Sequence, residues 1–245
     1  MGCSGSKISR LETGHIGSSP HDVREILTLY HVDEQVLHDL TEVAGQTRLR
    51  GWWQRENAVL TSDFVAFEQA AASIRSYEAQ CVPGLLQTEE YARALLASGG
   101  ATAGDIERRV HVRMRRRSLL TLEEPVDFWC VIDEAALLRP VGGEFVMRHQ
   151  VEQLAMASEM ENVTLQVLPM SAGAHMGMEG SFVLLRFPDD SDPDAVYVTM
   201  ATGGVFQEKP HELKRYRQIF DGLTQVALPP GDSTALLYTM AKESG

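Results

Sequence analysis

Val126-Asp127-Phe128-Trp129-Cys130-Val131-Ile132-Asp133-Glu134-Ala135-Ala136-Leu137 decides how the chain is read. Val126, Phe128, Cys130 and Ile132 occupy alternate positions, the period of a strand that turns one face to a core. The strand ends at a strand-to-helix junction holding Asp133, Glu134 and Arg139, and a helical pattern resumes over 143–160. Further strands are expected at 163–168, 182–187 and 196–200. Gly-rich and Asp-rich turns separate them, Asp189-Asp190-Ser191-Asp192-Pro193 among them, and a helix over 210–223 closes the series.

Upstream of that strand the pattern is helical. Gly51-Trp52-Trp53-Gln54 opens a region carrying Phe64, Phe67, Ala71 and Ile74 toward a core. Pro83-Gly84-Leu85-Leu86-Gln87 is a turn. Thr88 then caps a helix whose Glu89 and Glu90 suit the positive end of the dipole, with Tyr91, Leu95 and Leu96 facing inward. A basic helix over 105–120 follows. Together these elements predict an α+β class: a helix-rich domain with a small mixed sheet over 48–245, preceded at 1–47 by short helices at 6–13, 19–30 and 33–44. In the second of these, Ser19 is the expected N-cap with Pro20 at the first helical position.

Of 245 residues, 44% are hydrophobic and 23% charged, near the globular average, and no window approaches the ~18 consecutive apolar residues a membrane span needs. A water-soluble chain without membrane partners is expected. Cys3, Cys81 and Cys130 are an odd number at wide spacing, fitting a reducing cytoplasm better than a disulfide scaffold or a metal knuckle. The net charge of −12 repels nucleic acid at long range, so DNA binding would have to come from a local basic patch. The chain holds no GxSxG, HExxH or paired CxxC motif, so no catalytic residues, metal or cofactor are assigned, and the enzyme question leans toward no.

Tyr77, Glu78, Gln87, Tyr91 and Arg93 gather around the Pro-Gly turn and combine aromatic bodies with hydrogen-bonding tips, the make-up of a small-molecule pocket or, equally, of a capped turn. Asp133, Glu134 and Arg139 offer two carboxylates for acid-base work or a cation, against the commoner role of helix capping. Gly173-Ala174-His175-Met176-Gly177-Met178-Glu179-Gly180 brings His175 and Glu179 onto a loop suited to a lid or partner surface, against the plainer reading of a flexible hairpin loop. The run Arg108, Arg109, Arg113, Arg115, Arg116 and Arg117 reads first as a solvated helix face and second as a dock for phosphate or an acidic partner.

Gly5-Ser6-Lys7-Ile8-Ser9-Arg10-Leu11-Glu12-Thr13-Gly14 resembles the end of an actinobacterial Xre-type helix-turn-helix. That resemblance implies that Ser6, Lys7, Ser9 and Arg10 face DNA while Ile8 and Leu11 pack inward. Arg50-Gly51-Trp52-Trp53, Val82-Pro83-Gly84-Leu85-Leu86-Gln87-Thr88-Glu89-Glu90-Tyr91-Ala92-Arg93, Val131-Ile132-Asp133-Glu134-Ala135-Ala136-Leu137 and Val163-Thr164-Leu165-Gln166-Val167-Leu168-Pro169 resemble the large C-terminal domain of antitoxin-like regulators of that type. Such regulators have further helices ahead of the reading helix, so this one is expected to be a helix-turn-helix remnant that binds DNA weakly. They also tend to carry an acidic residue where this chain has Thr199.

The expected function is therefore a transcriptional regulator or antitoxin-like protein whose large domain binds a small partner protein or metabolite. A rival from another class is the same domain recruited as a cofactor-free, cyclase-like biosynthetic enzyme or as a ligand-binding protein. A third is a self-associating module, a homodimer formed through the Trp52-Trp53 region.

Overall fold

The computed structural model describes residues 20–30, 32–47, 62–189, 193–201 and 203–243. The short helix expected at 6–13, with Ser6, Lys7, Ser9 and Arg10, lies outside the described residues, as do Ser19 and the Trp52-Trp53 pair. The chain forms two compact units, Met1–Arg55 and Glu56–Gly245. In the first, helices α1 (Pro20–Leu29) and α2 (Glu34–Thr47) pack on each other. The Asp33 carboxylate opens α2 by accepting a 2.9 Å hydrogen bond from the Gln35 amide.

The second unit is α+β. Among the described residues the chain has nine helices and one six-stranded mixed sheet. In chain order come α3 (Ser62–Ala70), β1 (Ser73–Glu78), α4 (Glu89–Ala97), α5 (Ala103–Arg116), β2 (Asp127–Asp133), α6 (Glu134–Leu138) and α7 (Glu144–Ala157). Then follow β3 (Val163–Leu168), β4 (Phe182–Arg186), β5 (Ala195–Met200), β6 (Gly203–Gln207), α8 (Pro210–Val226) and α9 (Pro230–Glu243). The sheet runs β3-β2-β1-β4-β5-β6. β1, β2 and β3 are parallel, as strands joined by helical crossovers must be, whereas β4, β5 and β6 form an antiparallel meander. The sense of pairing switches at β1, where Tyr77 sits opposite Val131 on one side and Phe182 on the other.

Four elements differ from the sequence reading. Ile74 belongs to β1 and not to a helix continuing from Phe64: the helix stops at Ala70 and the chain enters the centre of the sheet. β6 carries two glycines among its five residues, and α9 begins Pro-Gly; both patterns read locally as turn. The basic helix ends at Arg116 and tightens into a 3-10 turn over Arg117–Leu120.

Each sheet face buries its own cluster. Ile74, Phe128, Cys130, Ile132 and Leu165 pack with Tyr91 of α4, Val151 and Leu154 of α7 and Leu237 of α9. On the other face Tyr77, Val131, Leu168, Phe182 and Val196 lie under Ile219, Phe220 and Leu223 of α8. The outer edge of β3 is already occupied: the Leu228 amide donates to the Val167 carbonyl at 2.9 Å, and the Val167 amide donates to the Ser233 hydroxyl at 2.9 Å. Covering an edge in this way removes main-chain groups that would otherwise accept another strand.

Gln150, fully buried in α7, joins three elements. Its Oε1 accepts from the Thr88 amide at 2.7 Å and its Nε2 donates to the Leu86 carbonyl at 2.8 Å, fixing the 3-10 turn Gly84–Leu86 and the start of α4. Removing that amide strands a buried donor and a buried acceptor. Gln150→Ala should therefore lower the unfolding free energy by roughly 2–4 kcal/mol, read as a lower urea midpoint at unchanged slope.

Candidate functional site

Above β1 and β4, on the face shared with α3 and α5, lies a cavity of about 430 Å³. Ile74, Ser76 and Glu78 alternate along β1 and present one side of it to the cavity. Phe64 and Glu68 reach in from α3, Arg113 and Arg116 from α5, Val183 from β4, and the 79–87 turn closes one wall.

The strongest interaction in this wall is the pair Glu68–Arg116. Nε and Nη2 of Arg116 donate to the two carboxylate oxygens of Glu68 at 2.5 and 2.7 Å, with both side chains almost fully buried. The guanidinium also lies over the Phe64 ring, 5.2 Å from its centroid. Burial opposes the charge on Arg116, but the Glu68 carboxylate outweighs it and holds the guanidinium pKa above its ordinary value.

Arg113, one turn earlier, has a different setting. Its Nη1 donates to Gln87 Oε1 at 2.8 Å, and Gln87 Nε2 in turn donates to the Val82 carbonyl at 2.7 Å. Burial, followed by repulsion from Arg116, pulls the Arg113 pKa down to about 10, so it stays charged at neutral pH. Burial pushes Glu78 the other way, up to about 7, with the Ser181 hydrogen bond and both guanidiniums opposing the shift. Cys81 is raised to about 12 by burial and by the neighbouring Glu78 charge, which leaves it a thiol and a poor nucleophile. Ser76 is 2% exposed, and its hydroxyl is, among the described residues, the buried side-chain polar atom without a hydrogen-bond partner.

Of the pocket residues expected from sequence, Glu78 and Gln87 line this cavity. Tyr91 is buried behind it, accepting the Val82 amide on its hydroxyl at 3.1 Å and so holding the turn in place. Arg93 is on the outer surface, bridged to Glu89 and Glu107 at 2.7 and 2.9 Å.

Tyr77 points to the opposite face and joins Asp133 and His175 in a second cluster. Its hydroxyl donates to Asp133 Oδ2 at 3.3 Å, and His175 Nε2 lies 3.8 Å from the same oxygen. Burial, then the Asp133 charge, raises the Tyr77 phenol well above its usual range. Asp133 also caps α6 through the Ala135 amide. Gly177 packs on Tyr77 so closely that a Cβ there would come within 2.6 Å of the ring. Glu134 accepts the Met170 amide at 2.7 Å, while Arg139 and Glu179 are exposed.

The sequence reading did not name Glu68 or Ser76, and it took Arg113 and Arg116 first as part of a solvated helix face. A signal existed for one of them. Val112, Arg116 and Leu119 fall at i, i+4 and i+7, which puts Arg116 on the buried stripe and not on a solvated face. Among the described residues no group of three or more His, Cys, Asp or Glu side chains could hold a metal ion, and no helix is long and apolar enough to cross a membrane.

The family described as "Domain of unknown function (DUF5753)" matches residues 61–239, so the chain belongs to it, and the matched span contains every residue of the cavity. No curated protein and no solved structure matches the chain.

Two outcomes follow from these electrostatics. Glu68→Ala leaves Arg116 buried without its counter-charge and should cost about 3–5 kcal/mol, part of which returns in the double variant Glu68→Met, Arg116→Met. The folded pKa of Glu78 lies above its unfolded value, so the native state holds the extra proton and stability falls as pH rises from about 4.5 through about 7. Glu78→Gln should flatten that slope and leave the variant more stable than the parent at pH 8, by about 3 kcal/mol at most, in denaturant titrations from pH 5 to pH 8.

Proposed function

We propose that this DUF5753 domain is the ligand-sensing part of a transcriptional regulator or antitoxin-like protein, and that a small metabolite occupies the cavity over β1. The observation that carries this reading is the Ser76 hydroxyl, buried at the cavity wall without a partner. Folded proteins satisfy such groups almost everywhere, because an unpaired buried hydroxyl costs about 1–3 kcal/mol; one at a cavity wall is a group that a bound molecule can satisfy. Apolar walls with a few convergent polar groups are the ordinary make-up of a small-molecule site.

The regulatory half of the proposal is supported by the likeness of residues 5–14 to the end of an Xre-type helix-turn-helix. In this reading occupancy of the cavity sets the DNA-binding behaviour of the N-terminal segment inside a reducing cytoplasm. A catalytic reading is favoured by one feature, the Tyr77, Asp133 and His175 cluster, whose members could move a proton between them. Its Tyr77 is 1% exposed, however, and its Asp133 already caps a helix, which suits a structural bolt better than a reacting site.

The test is thermal: fractions of a small-molecule extract are screened against the full chain and against Ser76→Phe, which fills the cavity. A ligand at 100 times its dissociation constant should stabilise the parent by about 2.7 kcal/mol and leave the variant unmoved. The same fraction should alter a salt-sensitive mobility shift on the gene's own promoter. Stabilisation that persists in Ser76→Phe, or no stabilising fraction at all, removes the sensing reading; turnover of the ligand that Asp133→Asn abolishes would favour the catalytic one.

A further inference from the structure

The charges around the cavity are unevenly partnered, and that unevenness names a ligand class. This inference rests on the sensing reading above. Four charged side chains line the cavity: Glu68, Glu78, Arg113 and Arg116. Glu68 and Arg116 neutralise each other through two hydrogen bonds and present no net charge. Among the described residues Arg113 makes no ion pair, and its hydrogen bond goes to a neutral amide, Gln87. Its guanidinium has donors to spare, since the group carries five and one is engaged there. A half-buried cation satisfied only by an amide is a standing invitation to an anion. Of the uncharged polar side chains that line the cavity, Gln80, Gln87, Ser181, Tyr197 and Thr199 among them, the Ser76 hydroxyl is the buried one without a partner among the described residues and can donate to an oxyanion, while Phe64, Ile74, Phe128 and Val183 give the wall its apolar part.

We infer that the cavity takes a small organic monocarboxylate with an apolar body, its carboxylate on Arg113 and Ser76 and its body against Phe64, Ile74 and Phe128. A cation is disfavoured by two guanidiniums in one wall. A phosphate monoester brings two negative charges to a wall where Glu78 already stands near Arg113, and is disfavoured for that reason.

Glu78 makes this binding proton-linked. It shares the wall with Arg113 and Arg116 of α5, with Cys81 of the turn, and with Ser181, which donates to it; Tyr91 of α4 and the strand neighbours Tyr77 and Cys130 feel its charge as well. A second carboxylate beside Glu78 favours its neutral form, so the ligand enters with a proton taken from solvent. Its affinity should therefore fall as pH rises above about 7.

The experiment uses the full chain and four probes that share one body: 1-naphthylacetate, 1-naphthylacetamide, 1-naphthylethylamine and 1-naphthyl phosphate. Titration calorimetry should find the carboxylate bound more tightly than the amide and the phosphate by about tenfold or more, with the amine unbound. Between pH 7 and pH 8 carboxylate affinity should fall by up to about fivefold, and at pH 8 buffers of different ionisation enthalpy should report uptake of close to one proton. Arg113→Gln should bring carboxylate and amide to the same affinity. If the amide or the amine binds the parent best and Ser76→Phe abolishes that binding, the cavity is a ligand site and the carboxylate assignment is wrong. Carboxylate binding unaffected by Arg113→Gln, or accompanied by no proton uptake in the parent, overturns the assignment as well. If none of the four probes binds, the assignment falls, and the sensing reading is then decided by the extract screen alone.

Discussion

A carboxylate and a guanidinium taken out of water lose several kcal/mol each, and only close mutual contact returns it. Glu68 and Arg116 meet that condition in the geometry the structure gives them, two parallel hydrogen bonds with the guanidinium seated over Phe64. The consequence reaches past the pair. Phe64 and Glu68 belong to α3, and the Phe64 ring packs on Tyr197 of β5 at 4.4 Å, so α3 is tied to the antiparallel half of the sheet. Arg116 ends α5, part of the crossover between the parallel strands β1 and β2. One buried ion pair thus clamps elements from both halves across the strand where pairing changes sense.

The same clamp decides how the neighbouring groups are charged. Arg116 spends its charge on Glu68, so it shields Glu78 incompletely and burial wins there. Arg113 is lowered by burial first and by Arg116 as a like charge second, and it keeps its charge with an amide for company. Glu78 and Arg113 are therefore left to attract each other across the wall without the paired hydrogen bonds that join Glu68 and Arg116. Such asymmetry is common where a protein reserves a place for something else.

Part of the fold was legible because its residues see one environment. β2 shows alternation over Val126, Phe128, Cys130 and Ile132 because each of these packs into the same cluster of side chains. Thr88 behaves as its position suggests, its hydroxyl accepting the Tyr91 amide. β1 was not legible, and the reason is the cavity. Ile74, Ser76 and Glu78 share one face of the strand, but only Ile74 meets apolar partners there, so the hydrophobic period breaks at Ser76 and Glu78 where the site begins. Glu78 and Gln87 were named through the Pro-Gly turn and both line the cavity, while Arg113 and Arg116 were read within a run of arginines. Arg108 in that run pairs with Asp105 on the surface, whereas the others of interest turn inward. Composition cannot separate these roles; helical phase can, and only for Arg116 is the phase flanked by leucine and valine on both sides.

The cover over β3 has an architectural consequence. With the Val167 amide and carbonyl committed to Ser233 and Leu228, the sheet is capped by its own C-terminal region at one end. A visiting strand would have to displace both of these bonds to pair at Val167, so at that point the sheet is closed by its own chain and not by a partner.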